Sequence, residues 1–113
     1  MCNNKDNAMN KVIDIVVDCW ATDLGNGQKS LTRDDVLGKR KDENICMTRT
    51  ILVNQLLWAG FTVSTVSALL HRTPQAIRRI NAQNTSYIAS SRAYRIALSE
   101  ATIRCKDIEP GGV

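Results

Sequence analysis

The sequence is poor in the residues that interrupt helices and in those that build catalytic or metal sites. It has two prolines and one histidine in 113 residues. It also has few turn dipeptides and no alternating apolar and polar strand pattern, so we predict an all-α fold. His71 has no partner at metal-ligand spacing, and no Ser/His/acid, Cys/His or apolar carboxylate pair occurs. We therefore expect no metal, no cofactor and no catalytic residue, and hence that the protein is not an enzyme.

Long apolar runs and paired cysteines are also missing. The four cysteines are isolated, at Cys2, Cys19, Cys46 and Cys105. No apolar run is long enough to cross a bilayer, and no charged-then-apolar leader opens the chain. These absences predict thiols rather than disulfides, a cytoplasmic location and no membrane partner.

Acidic residues are absent from Asn44 to Ser99, a stretch that contains six arginines. Residues 38–106 hold 11 basic and three acidic side chains, whereas residues 1–37 hold four basic and six acidic ones. The formal net charge of +4 therefore conceals a strongly basic segment. Such a segment on a small helical domain favours a polyanion as partner.

Apolar residues recur at helical spacing before this basic segment and within it. Residues 9–24 carry an apolar face with Asp14 and Asp18 opposite, formed by Met9, Val12, Ile13, Val16, Val17, Trp20 and Leu24. Residues 31–37 read as a short helix capped by Thr32. Residues 45–59 are apolar nearly all round, which predicts a buried central helix ended by Gly60. Arg49, its only charge, either reaches a phosphate or pairs with an acid such as Asp35.

Residues 61–80 have the pattern of two helices joined by a tight turn. The first runs over residues 63–70 with Thr62 or Ser64 as its cap, and the second begins at Pro74 with Thr73 as its N-cap. Gln75, Arg78 and Arg79 are expected to face outward, and Ala76, Ile77 and Ile80 inward. A polar, basic second helix is typical of the helix-turn-helix of major-groove DNA readers.

The C-terminal part predicts a further helix. Residues 82–86 (Ala-Gln-Asn-Thr-Ser) read as an end or kink, and the last helix then starts at Tyr87 or Ser91 and runs to Lys106. One stripe is expected to pack on the domain: Tyr87, Tyr94, Leu98, Ala101 and Cys105. Ile96 and Ile103 lie on a second face, which is either exposed or a homodimer contact. We thus expect one domain over residues 9–106, with a helix-turn-helix at about 62–82, a disordered N-terminus at 1–8 and a tail at 107–113.

Two motifs in this order resemble a known family. The run Asp35-Val36-Leu37-Gly38-Lys39-Arg40-Lys41 is similar to D-L-L-x-K-R-R, and Arg49 opens the apolar helix that follows. Arg72 to Ile77 occupy the positions of R-D-H-T-T-V. Over residues 9–81 the chain resembles the C-terminal DNA-binding domain (domain IV) of the bacterial replication initiator DnaA, of the Trp-repressor-like superfamily. The segment Arg92-Ala93-Tyr94-Arg95 lies beyond that domain and resembles the extension of small stand-alone variants.

The resemblance implies fold and docking mode but not the initiator's DNA site. It implies a minor-groove role for Arg40 or a neighbour. In the second motif Arg72 and the closing aliphatic Ile77 match, whereas the Asp, His and two Thr that supply base contacts are replaced. No Walker sequence occurs, so no ATPase module is present.

The sequence therefore predicts a non-enzymatic protein that binds double-stranded DNA. A cytoplasmic, nucleoid-associated regulator or replication-related factor of bacteria would fit this pattern. The expected DNA-binding residues are Lys39, Arg40, Lys41, Arg49, His71, Arg72, Thr73, Gln75, Arg78 and Arg79. The alternative is a protein–protein interaction module that keeps the fold without specific DNA readout.

Overall fold

Helices are the regular elements throughout the part of the chain that the structure describes. The structure is a computed structural model that describes residues 8–17, 36–38 and 43–106. Helix α1 covers residues 8–17, and residues 36–37 form part of a helical turn. The later helices are α2 (Glu43–Trp58), α3 (Val63–Leu70), α4 (Pro74–Ser90) and α5 (Arg92–Cys105). The predicted all-α class is confirmed for these ranges.

Several expectations lie outside the described residues. They concern the two chain ends at 1–7 and 107–113, Trp20 and Leu24 of the first helix, the Thr32 cap, and the basic run at 39–41. At the N-terminal end, Ala8 is helical and buried, although we had placed it in the disordered N-terminus.

Helix α2 is the central element of the core, as its apolar sequence predicts. It contacts α3, α4 and α5. Its inward side chains, such as Ile51, Leu52 and Leu56, are almost fully buried. Helix α1 buries Val12, Ile13 and Val16, while Asp14 on its opposite face is exposed. The amphipathic pattern therefore gave the correct inward face of α1.

Trp58 departs from the expected all-round burial of α2, because its side chain is 63% exposed. Gly60, at φ 110°, ends the helix. The Gly60 N–H donates to the Leu57 carbonyl at 3.1 Å, and the Phe61 N–H donates to the Leu56 carbonyl at 3.1 Å. This is a Schellman pattern, which needs the positive φ that glycine adopts without strain. The turn places Phe61, rather than Trp58, in the core at this end of α2.

Helix α4 runs through residues 82–86, so the predicted helix end there is wrong. The run is polar and its propensity for helix is modest, but contacts on one face continue along it. Asn81 accepts from the Asn54 amide at 3.4 Å, and Asn84 accepts from the Tyr94 hydroxyl at 2.5 Å. The Tyr87 and Tyr94 rings lie 5.2 Å apart. Tertiary contacts therefore prevail over local propensity here.

The break between the last two helices falls at Ser91, one of the two starts expected from the sequence. Its backbone is extended, at φ −133° and ψ 116°. The Ser91 N–H donates to the Tyr87 carbonyl at 2.9 Å, and its Oγ accepts from the Tyr94 N–H at 3.1 Å. One residue thus closes α4 and caps α5.

Helix α5 packs on α2 and α4 through the predicted stripe. Tyr94, Ala101 and Cys105 are buried and Leu98 is half-buried, whereas Tyr87, the fifth residue of the predicted stripe, lies half-buried on α4. Gln55 of α2 donates from Nε2 to Thr102 Oγ1 at 2.9 Å, which joins the two helices by a buried polar contact. Cys46 and Cys105 are both thiols. None of the described helices is long and apolar enough to cross a membrane.

Candidate nucleic-acid interface

Helix α3, the turn after it and the start of α4 lie where the sequence predicts them, whereas α4 continues to Ser90. Thr62, rather than Ser64, caps α3, because its Oγ1 accepts from the Thr65 N–H at 3.1 Å. His71 takes the left-handed conformation at φ 54°, the only non-glycine residue with positive φ in the described ranges. The Arg72 N–H returns to the Ser67 carbonyl at 3.1 Å, and the Ser67 hydroxyl donates to the Arg72 carbonyl. These bonds hold the turn in a single tight conformation.

The start of α4 presents polar side chains to solvent. Thr73 Oγ1 accepts from the Ala76 N–H at 3.1 Å, and Pro74 occupies the first turn. Gln75, Arg78 and Arg79 are exposed, as expected. The opposite face is turned inward, with Ile77 fully buried and Ala76 and Ile80 half-buried. The buried Ile77 fixes the rotation of the helix, so the direction of its arginines is set by the core.

Arg72 is half-buried and holds main-chain groups of two segments. Its Nη1 donates to the Leu70 carbonyl at 3.2 Å, and its Nη2 donates to the Gly38 carbonyl at 2.9 Å. The first bond lies at the end of α3 and the second reaches across 34 residues. Arg72 therefore ties the turn to the described residues 36–38, a structural role that the sequence analysis did not foresee.

Arg49 lies in the core and is only 5% exposed. Its Nε donates to the Val36 carbonyl at 2.7 Å, and its Nη2 donates to the same Gly38 carbonyl at 3.0 Å. Burial, followed by the nearby charge of Arg72, lowers the pKa of Arg49 from its ordinary value. Of the two expected roles for Arg49, contact with a phosphate does not match this buried position. The second expected role, an ion pair between Arg49 and Asp35, stays a prediction because Asp35 lies outside the described residues.

The structure thus divides the predicted DNA-binding residues into three groups. Five are exposed around the turn and the first turns of α4: His71, Thr73, Gln75, Arg78 and Arg79. Arg49 and Arg72 converge instead on one carbonyl, that of Gly38. Lys39, Arg40 and Lys41 directly follow Gly38 in the sequence but lie outside the described residues. No sequence signal could have revealed the shared acceptor, because a carbonyl contact leaves no pattern of residue types.

Other kinds of site find little support in the described ranges. Residues 8–17, 36–38 and 43–106 contain no cluster of three or more His, Cys, Asp or Glu side chains that could hold a metal ion. An open groove of about 400 Å³ lies on α5, away from the turn in sequence; it is lined by Arg92, Arg95, Ile96, Ser99, Glu100 and Ile103.

Comparison with known proteins gives no relative on which to base an assignment. No protein-family model, no curated protein and no solved structure matches the chain.

Proposed function

We propose that the protein binds double-stranded DNA without catalysing a reaction on it. The observation that carries the proposal is the exposed, acid-free start of α4. Arg78 and Arg79 project from a helix whose opposite face is buried at Ile77. The sequence around them lacks acids from Asn44 to Ser99. A rigid helix with outward arginines and no competing carboxylates suits the high negative charge of a duplex.

In the proposed complex the N-terminal part of α4 enters the major groove. Gln75 would pair with the N6 and N7 edge of adenine, and Arg78 or Arg79 with guanine or a phosphate. His71 and Thr73, both exposed beside the helix start, would contact the backbone. Lys39-Arg40-Lys41 would reach an adjacent phosphate or the minor groove. Arg72 would act by holding the turn rather than by reading a base.

The family-level part of the proposal rests on sequence resemblance and on the order of the helices. We propose a Trp-repressor-like helix-turn-helix domain, similar to domain IV of DnaA in its docking mode. The residues at the base-reading positions differ from the initiator's, so the preferred DNA site differs as well. A bacterial, nucleoid-associated role in transcription or replication follows from this reading.

The proposal is tested by selecting sites from a random duplex pool and measuring affinity as a function of salt. With about four to six phosphate contacts, log affinity should fall with log salt at a slope of roughly −4 to −5. Arg78→Ala/Arg79→Ala should reduce affinity by about a hundredfold and make the slope shallower by about 2. The matched control Lys11→Ala/Arg104→Ala removes the same charge from α1 and α5 and should have a much smaller effect.

Two results would contradict this function. One is an association that tolerates every sequence and barely depends on salt. The other is an Arg78→Ala/Arg79→Ala variant that binds as the wild type does. Circular dichroism of each variant should show an intact fold, since both side chains are exposed and their loss should change stability by less than about 0.5 kcal/mol.

A protein-interaction module is the second candidate, and one observation favours it. Ile96 and Ile103 on α5 are 45% and 65% exposed, respectively, beside the open groove. Large aliphatic side chains exposed on one helix face are a feature of interaction surfaces. An empty selection from the duplex pool, obtained with a well-folded protein, would favour this function over DNA binding.

A further inference from the structure

The exposed face of α5 has the residue spacing of a helix–helix seam. Arg92, Ile96, Ser99 and Ile103 follow one another at intervals of four, three and four residues, and all four are solvent-exposed or border the groove. This is the spacing of the a and d positions of a coiled coil, with both isoleucines at a. β-branched residues at a, together with leucine at d, favour a two-stranded parallel pair; this seam has the β-branched residues at a but Arg92 and Ser99 at d. The face opposite is occupied by Tyr94, Ala97 and Ala101, which are buried in the domain.

The charges beside this seam are complementary to those of the same seam in a second copy. Arg95 and Glu100 border it on opposite sides and line the groove. With Ile96 at a, Arg95 is at position g and Glu100 at position e. In a parallel pair, the g residue of one helix lies beside the e residue that comes five positions later in the other helix. Arg95 of each copy would therefore meet Glu100 of the other, which gives two equivalent ion pairs.

Charge also favours this face over the other surfaces formed by residues 44–106. Glu100 is the one acidic residue in the sequence between residues 44 and 106. Elsewhere in this stretch the charged side chains are all basic, so no other contact between two copies could pair opposite charges. Glu100 already accepts from Arg104 at 3.0 Å through Oε2, and a carboxylate can accept several further hydrogen bonds. The second Arg95 can thus be added without breaking the existing pair.

We propose that two copies of the protein associate through α5, in parallel and about a twofold axis. Ile96 and Ile103 pack on the same residues of the second copy, Ser99 allows close approach between them, and Arg95 pairs with Glu100 across the interface. The seam spans only two heptads and includes Arg92 at a d position, so the dimer is weak. Where the proposed DNA binding holds, the dimer presents two α4 helices and favours a site with two related halves. The association itself does not depend on that function.

Sedimentation equilibrium of the full chain, under reducing conditions, measures the association directly. We expect a monomer–dimer equilibrium with a Kd on the order of 100 µM, as fits a small interface. Ile103→Asn should weaken it by about a hundredfold, because each substitution occurs twice in a symmetric dimer. The matched control is Ile88→Asn, on an α4 isoleucine that is 37% exposed and outside the seam. It should leave the Kd unchanged.

A charge swap separates pairing across the interface from a general effect of net charge. Arg95→Glu should weaken the dimer about tenfold, since the new carboxylate faces Glu100 of the second copy. Adding Glu100→Arg should restore it to within about threefold. Arg78→Glu lowers the net charge equally but lies on α4, so it should not weaken association. Arg95 also donates to the Ile88 carbonyl at 2.7 Å, so its replacement could affect the fold. Circular dichroism of each Arg95 variant is therefore measured as a control for folding.

The parallel arrangement is tested by a disulfide. Ser99→Cys should cross-link two copies on mild oxidation, since residue 99 faces its own equivalent at a d position. Ser86→Cys, an exposed serine of α4, should not cross-link above the wild-type level. A chain that stays monomeric at 1 mM, an Ile103→Asn variant that associates as the wild type does, or a charge swap without recovery would overturn the proposal. Each outcome is independent of whether the protein binds DNA.

Discussion

Replacing Arg72 with alanine should destabilise the fold, although sequence reasoning placed this residue among the DNA contacts. The side chain donates two charge-assisted hydrogen bonds, to the carbonyls of Leu70 and Gly38. Hydrogen bonds of a charged donor contribute about 1.5–3 kcal/mol each. The site is half-buried, so water can replace part of this loss, and removal of Arg72 relieves its repulsion with Arg49. We therefore expect a net loss of about 2 kcal/mol rather than the sum of two full bonds.

Urea and thermal unfolding followed by circular dichroism measure this loss. A change of about 2 kcal/mol corresponds to a fall in Tm of about 8 °C for a domain of this size. Arg72→Lys should fall between the wild type and the alanine variant, since one ammonium group cannot reproduce the planar fork of the guanidinium. Arg79→Ala is the matched control, because Arg79 is exposed on α4. It should change stability by less than about 0.5 kcal/mol.

The reasoning on Arg72 would be refuted if Arg72→Ala and Arg79→Ala had equally small effects on unfolding. In that event the carbonyl bonds of Arg72 would contribute nothing net, and any loss of DNA affinity in Arg72→Ala would indicate direct contact. The alternative outcome is that Arg72→Ala lowers stability and that the variant regains wild-type DNA affinity under conditions that restore its fold. In that case Arg72 acts by holding the turn. The two outcomes separate a positioning role from a binding role.

The remaining predictions concern Tyr94 and His71. Tyr94→Phe removes the hydroxyl bond to Asn84 and should cost about 1 kcal/mol in urea unfolding at pH 7. Burial, then the neighbouring Tyr87, raises the pKa of Tyr94. The folded state therefore keeps a proton that the unfolded chain releases, so wild-type stability should fall above about pH 10, and less steeply in Tyr94→Phe; identical slopes would contradict this. His71→Gly should match or exceed wild-type stability, whereas His71→Val should lose about 1–2 kcal/mol in the left-handed turn position. Equal stabilities of the glycine and valine variants would argue against the left-handed conformation at residue 71.

Local chemistry made the α3–α4 pair predictable from the sequence. Thr62 and Thr73 carry hydroxyls that satisfy helix-start N–H groups within three residues, and Pro74 is suited to a first helical turn. The inward face at Ile77 follows from helical period alone. These signals operate over a few residues, so the bounds predicted for both helix starts agree with the structure.

Contacts between residues of different elements, and one local turn, account for the expectations that were wrong. The polar run at 82–86 has no local reason to stay helical, but Asn84 receives the Tyr94 hydroxyl from the next helix. Trp58 was expected to be buried from its apolar character, but the turn at Gly60 puts Phe61 in the core instead. Arg49 and Arg72 meet at the Gly38 carbonyl, across 11 and 34 residues. No periodicity or residue type encodes such meetings.

The single-residue joint at Ser91 restricts how the length of this chain can change during evolution or engineering. Ser91 bonds back to Tyr87 and forward to Tyr94, so no spare residue separates α4 from α5. One residue added to a helix turns everything after it by about 100° and moves it by about 1.5 Å. An insertion of one residue at the joint would thus rotate Tyr94 away from Asn84 and turn the exposed Ile96 to the position of the buried Ala97. The register between these two helices therefore depends on the number of residues at the joint.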